Sequence, residues 1–228
     1  MALMPPFAPL VALFFLGSIL GLLGAGAALG FGALTRNRAL LRGSAAAAAV
    51  LLVFYASLLL GASLSSRDRL LGSGEWKYFC ELDCHIAYAV DRVTVSDSLG
   101  VPGEAVHPHG RFTTVELRTW FDESTISRER PRDAPLTPNP RRVYVVDAGG
   151  HRFDRSFEGE RALAAAGVSS MPLTTPLIPG QSYTTSLVFD LPGDVREPRL
   201  YVGDADPVSH LLVGHEESPL HRKIWFRL

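Results

Sequence analysis

The segment Phe79-Cys80-Glu81-Leu82-Asp83-Cys84-His85 holds both cysteines of the 228-residue chain, with a histidine directly behind the second. Sulfur and imidazole at this spacing support three chemistries. Outside the cytoplasm, two thiols four residues apart oxidise to a local disulfide if the backbone between them bends, since a fully extended strand holds their Cα atoms too far apart. Thiolate and imidazole are also ligands for copper or zinc. The third chemistry is haem attachment, although Cys-x3-Cys-His is one residue longer than the usual spacing and its β-rich surroundings lack helices to clasp the group. The chain contains no serine-hydrolase elbow, phosphate loop or His-Glu-x-x-His. The acids Asp122, Glu123, Asp133 and Asp190, and the pair in His107-Pro108-His109, read as solvated loop or strand residues, so no catalytic reaction is expected.

Two apolar runs precede this segment. Residues 1–35 carry no Asp, Glu, Lys, Arg or His, and the runs 7–34 and 44–64 each reach the roughly 20 residues that cross a bilayer. A cleaved signal peptide fits the first run poorly, because no basic residue precedes it and it is too long. The loop between the runs carries Arg36, Arg38 and Arg42 and no acid, which keeps it in the cytoplasm. Arg67 and Arg69, with Asp68 between them, oppose this only weakly. The reading is a two-pass protein of the cytoplasmic (inner) membrane, with its N-terminus and its large C-terminal domain on the periplasmic side. All 23 acidic residues but only 19 of the 22 basic ones follow Leu64, so the outer part is mildly acidic and a nucleic-acid partner is not expected.

The first run is rich in small residues. Gly17-x3-Gly21 and Gly26-x3-Gly30 are small-x3-small patterns that let helix backbones approach closely in lipid. Those glycines either pack the two helices as a hairpin or also receive a third, foreign helix. Neither run carries an ionisable group, which argues against a proton path or ion pore.

The remainder reads as strands separated by turns. Apolar β-formers run over 78–95, and 112–121 alternates as a half-buried strand does. A loop over 124–140 has four prolines, which cannot donate to a ladder. A strand over 142–147 turns at Ala148-Gly149-Gly150-His151, and 158–168 has helical composition. Residues 182–191 form the clearest strand, with shorter ones at 200–202 and 224–228. About seven or eight short strands at this spacing predict an antiparallel β-sandwich. The expected layout is a transmembrane hairpin over 1–64, a linker over 65–76 and a periplasmic all-β domain over 77–228.

Three fragments carry a family resemblance: Val143-Tyr144-Val145-Val146-Asp147-Ala148-Gly149-Gly150, Leu177-Ile178-Pro179-Gly180-Gln181, and Leu187-Val188-Phe189-Asp190-Leu191-Pro192. Over about 110–203 the chain resembles the immunoprotein-like Ig domains of bacterial secreted lipoproteins and small membrane-anchored proteins. In those domains a D-x-x-G hairpin is followed by an L-x-P-G turn and a V-F-x-x-P strand. The resemblance implies an Ig-like sandwich acting as a binding or scaffolding module, usually without catalysis. The opening Cys-x3-Cys also resembles the dinuclear copper centre of cytochrome oxidase subunits, which share a two-helix anchor and an outer β domain. That family needs a further histidine and a methionine soon after the second cysteine. Here His85 follows Cys84 at once and Met171 is remote.

In Ig-like sandwiches the first and last strands commonly run side by side. A mixed copper or zinc site would then join Cys80, Cys84 and His85 at the domain's opening to histidines at its end, His215 and His221 with His210 nearby. The leading expectation is different: a non-catalytic accessory subunit of a larger integral-membrane complex, respiratory or photosynthetic by analogy with similarly built subunits. It would hold no cofactor, pack other integral membrane proteins within the lipid bilayer, and dock its β domain through the loop 124–140. The copper- or zinc-binding redox module is the alternative.

Overall fold

The computed structural model describes residues 8–81 and 84–228. Phe7, where the sequence starts the first span, and Leu82 and Asp83 between the cysteines lie outside the described residues. The chain divides into two compact units. Of the described residues, one holds those up to Arg67 together with Asp206–Lys223, and the other holds Asp68–Ala205 with Ile224–Leu228. Two boundaries therefore differ from the expected ones. The 65–76 stretch contributes a strand rather than only a linker, and 206–223 groups with the helices rather than with the sandwich.

The helical unit consists of α1 (Ala8–Leu34) and α2 (Arg38–Ser65). Both are long and apolar enough to cross a membrane. The second begins at Arg38, not near residue 44, so most of the expected basic loop is its first turn. Asn37 explains this start, because its side chain caps the helix by accepting from the Leu40 N–H at 3.1 Å. Arginine is moreover almost as good a helix former as leucine. Three serine hydroxyls return to the carbonyl one turn back and are satisfied without water: Ser18 to Phe14 at 2.8 Å, Ser44 to Leu40 at 2.7 Å and Ser57 to Val53 at 2.7 Å. The buried Ser63 hydroxyl of α2 has no hydrogen-bond partner among the described residues.

Asp206–Lys223 packs on this unit as a chain of tight turns. A 3₁₀ turn over Pro207–Leu211 is capped by Asp206, whose carboxylate accepts from the Val208 N–H at 2.9 Å. Further i to i+3 bonds follow at Leu212, His215, Ser218 and His221. Two bonds tie the segment to α2. The Tyr55 hydroxyl donates to the Leu211 carbonyl at 2.6 Å, and the Arg222 N–H donates to Ser66 Oγ at 2.8 Å.

The other unit has two sheets. One has the order β1 (Arg69–Leu71), β9 (Ile224–Arg227), β8 (Arg199–Asp204), β5 (Arg141–Val146), β6 (Arg152–Phe153); the other runs β2 (Lys77–Cys80), β3 (His85–Ser96), β4 (Arg111–Asp122), β7 (Ser182–Leu191). All pairings are antiparallel except β1 with β9, which is parallel with Arg69 opposite Ile224. The expected run 78–95 is two strands, broken by a hairpin after Cys80. Side chains from both sheets share one core, among them Phe79, Tyr88, Val115, Leu117, Phe121, Val145, Leu187, Phe189, Leu200 and Phe226. This is a β-sandwich-like arrangement. The expected helix forms as α3 (Phe157–Ala165), capped by Ser156 accepting from the Gly159 N–H at 3.2 Å. Glycine is required at 159, because a Cβ there would lie 2.6 Å from Val188 Cγ1 of β7. The proline-rich loop is held by a two-bond bridge between Leu136 and Leu177.

Candidate functional site

The β2–β3 hairpin positions the sequence's cysteine cluster. Cys80 closes β2 directly opposite His85, which opens β3, and His85 in turn lies opposite Asp122 at the end of β4. Directly opposed residues share a sheet face, so these three line up across neighbouring strands. Cys80 is exposed, while Cys84 is buried in the shared core with its Sγ 3.7 Å from the Glu81 carbonyl. The His85 backbone N–H donates to Thr125 Oγ1 at 2.9 Å, and its ring meets Tyr78 edge-on. Burial pushes the imidazole of His85 below its ordinary pKa, against the opposing pull of the Asp122 carboxylate. Asp122 is committed to its own turn, accepting from the Ser124 N–H at 2.9 Å and the Ser124 hydroxyl at 2.6 Å.

The other expected ligands are placed elsewhere. The strand beside the last one is β1, not β2, so the neighbour of β9 carries Arg69–Leu71 while the cysteines enter the second sheet. His215 and His221 belong to the unit of the helices. His215 Nδ1 accepts from the Glu217 N–H at 3.1 Å, and His221 Nδ1 donates to the Arg222 carbonyl at 2.6 Å. Among the described residues, no three His, Cys, Asp or Glu side chains come together in a group able to hold a metal ion. The set Cys80, Cys84, His85, His215 and His221 is therefore not assembled as one site among those residues.

A buried polar cluster was missed by sequence reasoning. Lys77 is 1% exposed, and its Nζ donates to the carbonyls of Val202 at 2.5 Å and Ile224 at 3.1 Å while lying over the Tyr201 ring. The fully buried side chain of Arg141 pairs with Glu81 and Asp204, donates to the Tyr88 hydroxyl at 3.3 Å and stacks on Phe79. Burial pushes the Tyr88 phenol up to about 12 despite Arg141. Burial likewise raises the Glu81 carboxyl, with Arg141 pulling it back down. Lys77 sits on β2 and reaches β8 and β9; Arg141 sits on β5 and reaches β3 and the end of β2. The cluster therefore bolts one sheet to the other. The available signal was Lys77 itself, one alternation step from core residue Phe79.

Beside α3, a cleft of about 390 Å³ is lined by residues including Arg155, Glu160, Met171 and Thr185. Arg155 and Glu160 bind each other there through two bonds of 2.8 and 2.7 Å. Asp190, which reads from sequence as a solvated acid, accepts the N–H groups of His109 at 2.8 Å and Gly110 at 2.9 Å, tying the preceding loop to β7.

On the helices, the expected packing glycines divide. A Cβ at Gly21 would lie 3.0 Å from Leu51 of α2, and one at Gly32 would lie 3.2 Å from Leu41. Gly17, Gly26 and Gly30 have nothing within 4 Å of such a Cβ. For Gly30 helix geometry gives the reason. Gly32 is eleven residues from Gly21, about three whole turns, whereas Gly30 is about two and a half turns away on the opposite side. Of the four expected packing residues, only Gly21 closes the hairpin.

The fold and site define a β-sandwich-like domain following two long apolar helices. No family model and no curated protein matches the chain. Solved structures with some likeness include the secreted protein MPT63 from Mycobacterium tuberculosis, at TM-score 0.43 and 10% identity, covering 72% of this chain and 100% of that one. A conserved hypothetical protein from Bacillus anthracis matches at TM-score 0.40 and 18% identity, over 55% of this chain and 86% of its own. The yjhA protein from Bacillus subtilis matches at TM-score 0.39 and 14% identity, over 69% of this chain and 98% of its own.

Proposed function

We propose that the protein is a two-pass membrane subunit that assembles with other integral membrane proteins and does no catalysis of its own. One observation carries the reading: Gly26 and Gly30 lie on the side of α1 away from Gly21 and Gly32, the two glycines against α2. A glycine inside a helix costs about 1 kcal/mol relative to alanine. Facing acyl chains, that cost has no return, whereas a third helix can approach closely over a small-x3-small surface. The hydroxyls of Ser18, Ser44 and Ser57, satisfied within their helices, and the exposed apolar side chains of both helices support a lipid setting. The arginines at the α1–α2 turn favour a cytoplasmic turn and an Ig-like domain outside.

Extraction in a mild detergent followed by native electrophoresis tests this. Co-migration with other membrane proteins, lost in Gly26→Leu/Gly30→Leu, is the expected result, and the companions identify the host complex. Migration as a lone monomer would overturn the reading.

A further inference from the structure

We infer that residues 207–213 dip into the outer leaflet beside α2, with Val208 and Leu211 against lipid acyl chains. The inference rests on the proposed spanning of α2 and adds a second membrane-contacting element, far away in sequence.

Helix length sets the depth of this segment. The 28 residues of α2 extend about 42 Å, and a hydrocarbon core is about 30 Å, so about 12 Å of the helix must protrude. Tyr55 lies ten residues before the end of α2 at Ser65, about 15 Å along the axis. Even with all the excess on the outer side, Tyr55 stays within the hydrocarbon. Arg38 and Arg42 on the first turns pull some of the excess to the inner side, because charge is costly in hydrocarbon. That sets Tyr55 deeper still. Its hydroxyl is bonded to the Leu211 carbonyl at 2.6 Å, and helical side chains of this size lean back toward the N-terminus, here further inward. Leu211 is therefore held at that depth.

The composition of the segment follows the same gradient. Its deep part is Pro207-Val208-Ser209-His210-Leu211-Leu212-Val213, preceded by Asp206, whose carboxylate accepts from the Val208 N–H, and the charged Glu216, Glu217, Arg222 and Lys223 come later, toward the Ser66 contact at the helix end. Val208 and Leu211 are 45% and 51% exposed, as are apolar side chains of α2 such as Val53 and Phe54, at 67% and 53%. The backbone at depth is largely self-satisfied: the Val208 N–H bonds to Asp206, the Ser209 N–H to the Asp206 carbonyl, and the Leu212 N–H to the Ser209 carbonyl. The Leu211 carbonyl takes the Tyr55 hydroxyl. Irregular backbone is tolerated at membrane depth on such terms.

The test is tryptophan quenching in the full-length protein, reconstituted into phosphatidylcholine vesicles whose acyl chains are brominated either near the headgroup or near the chain ends. The native Trp76, Trp120 and Trp225 lie in the β unit and set the background. Val53→Trp, at mid-span, should lose emission most strongly to bromine near the chain ends. Leu211→Trp and Val208→Trp should lose emission beyond the background, most strongly to bromine near the headgroup. Combining Leu211→Trp with Tyr55→Phe should reduce that loss. Circular dichroism matching the parent shows that each variant is folded. If Val53→Trp is quenched while both loop tryptophans stay at background, the loop lies in water or under a protein partner and the inference is overturned. If Val53→Trp is not quenched, the spanning of α2 fails, and this inference fails with it.

Discussion

The helices and the sandwich place their side chains in opposite senses. On α1 and α2 the large apolar groups point outward, with Leu13, Val50, Val53 and Leu64 each more than half exposed. In the β unit the apolar groups point inward, and Lys77, Arg141 and Glu81 are buried among them. In water the first arrangement would collapse or aggregate, whereas a buried ion pair is tolerable only with its hydrogen bonds completed. On the membrane reading proposed above, the same chain is written for two solvents.

Removing one partner of the buried cluster is the strongest way to break this comparison. Arg141→Ala leaves Glu81 and Asp204 without their guanidinium and should cost about 3–5 kcal/mol in the β unit, read as a lower urea midpoint in detergent. The helical unit should be untouched, which helix-region circular dichroism would register. A mutation of the opposite kind comes next. Gly21→Leu forces a side chain into Leu51 and should destabilise the hairpin by about 1–3 kcal/mol, seen as faster protease nicking at the α1–α2 turn, while Gly26→Leu leaves that rate near the parent's.

A third prediction separates the buried and surface acids by pH. At Asp190 burial alone would raise the carboxyl, but the N–H groups of Gly110 and His109 outweigh it and hold the pKa low. Its stabilisation is complete above the ordinary value of about 3.9 and is lost as pH falls through the lowered one. Asp190→Asn should therefore flatten the acid limb of the stability profile, with an effect near neutral pH of about 1 kcal/mol. Glu81 has the opposite sign. Its raised pKa gives a contribution present below the ordinary carboxyl value and lost as pH rises through the folded one. Glu81→Gln should remove that decline and cost less than Arg141→Ala; equal costs would mean that packing, not charge, holds the cluster.

Much of the fold was legible in the sequence because it is written locally. β4 alternates in period two, β7 is a bounded run of β-formers, α3 has its Ser156 cap, and the apolar helices are unbroken runs. What was illegible depends on distant partners. Three residues at 69–71 give no strand signal until β9 pairs with them. The segment 206–223 reads like any loop before a final strand, and only the bonds to Tyr55 and Ser66 show where it packs. Of the candidate site, the hairpin that opposes Cys80 to His85 was not legible: the sequence reads as one run of β-formers over 78–95, with a bend only as the condition for a disulfide. The Lys77 and Arg141 cluster was visible only as a charge out of step with its strand.

The parallel pairing of β1 with β9 also dictates an order of assembly. Arg69 lies opposite Ile224, so about 150 residues must be made and gathered before that edge of the sheet can close, and closing so long a loop is entropically late. Until then β8 presents an unpaired edge on a chain whose helices have already left the ribosome. The interval before β9 arrives is thus the period in which the folding chain is most open to mispairing at that strand edge.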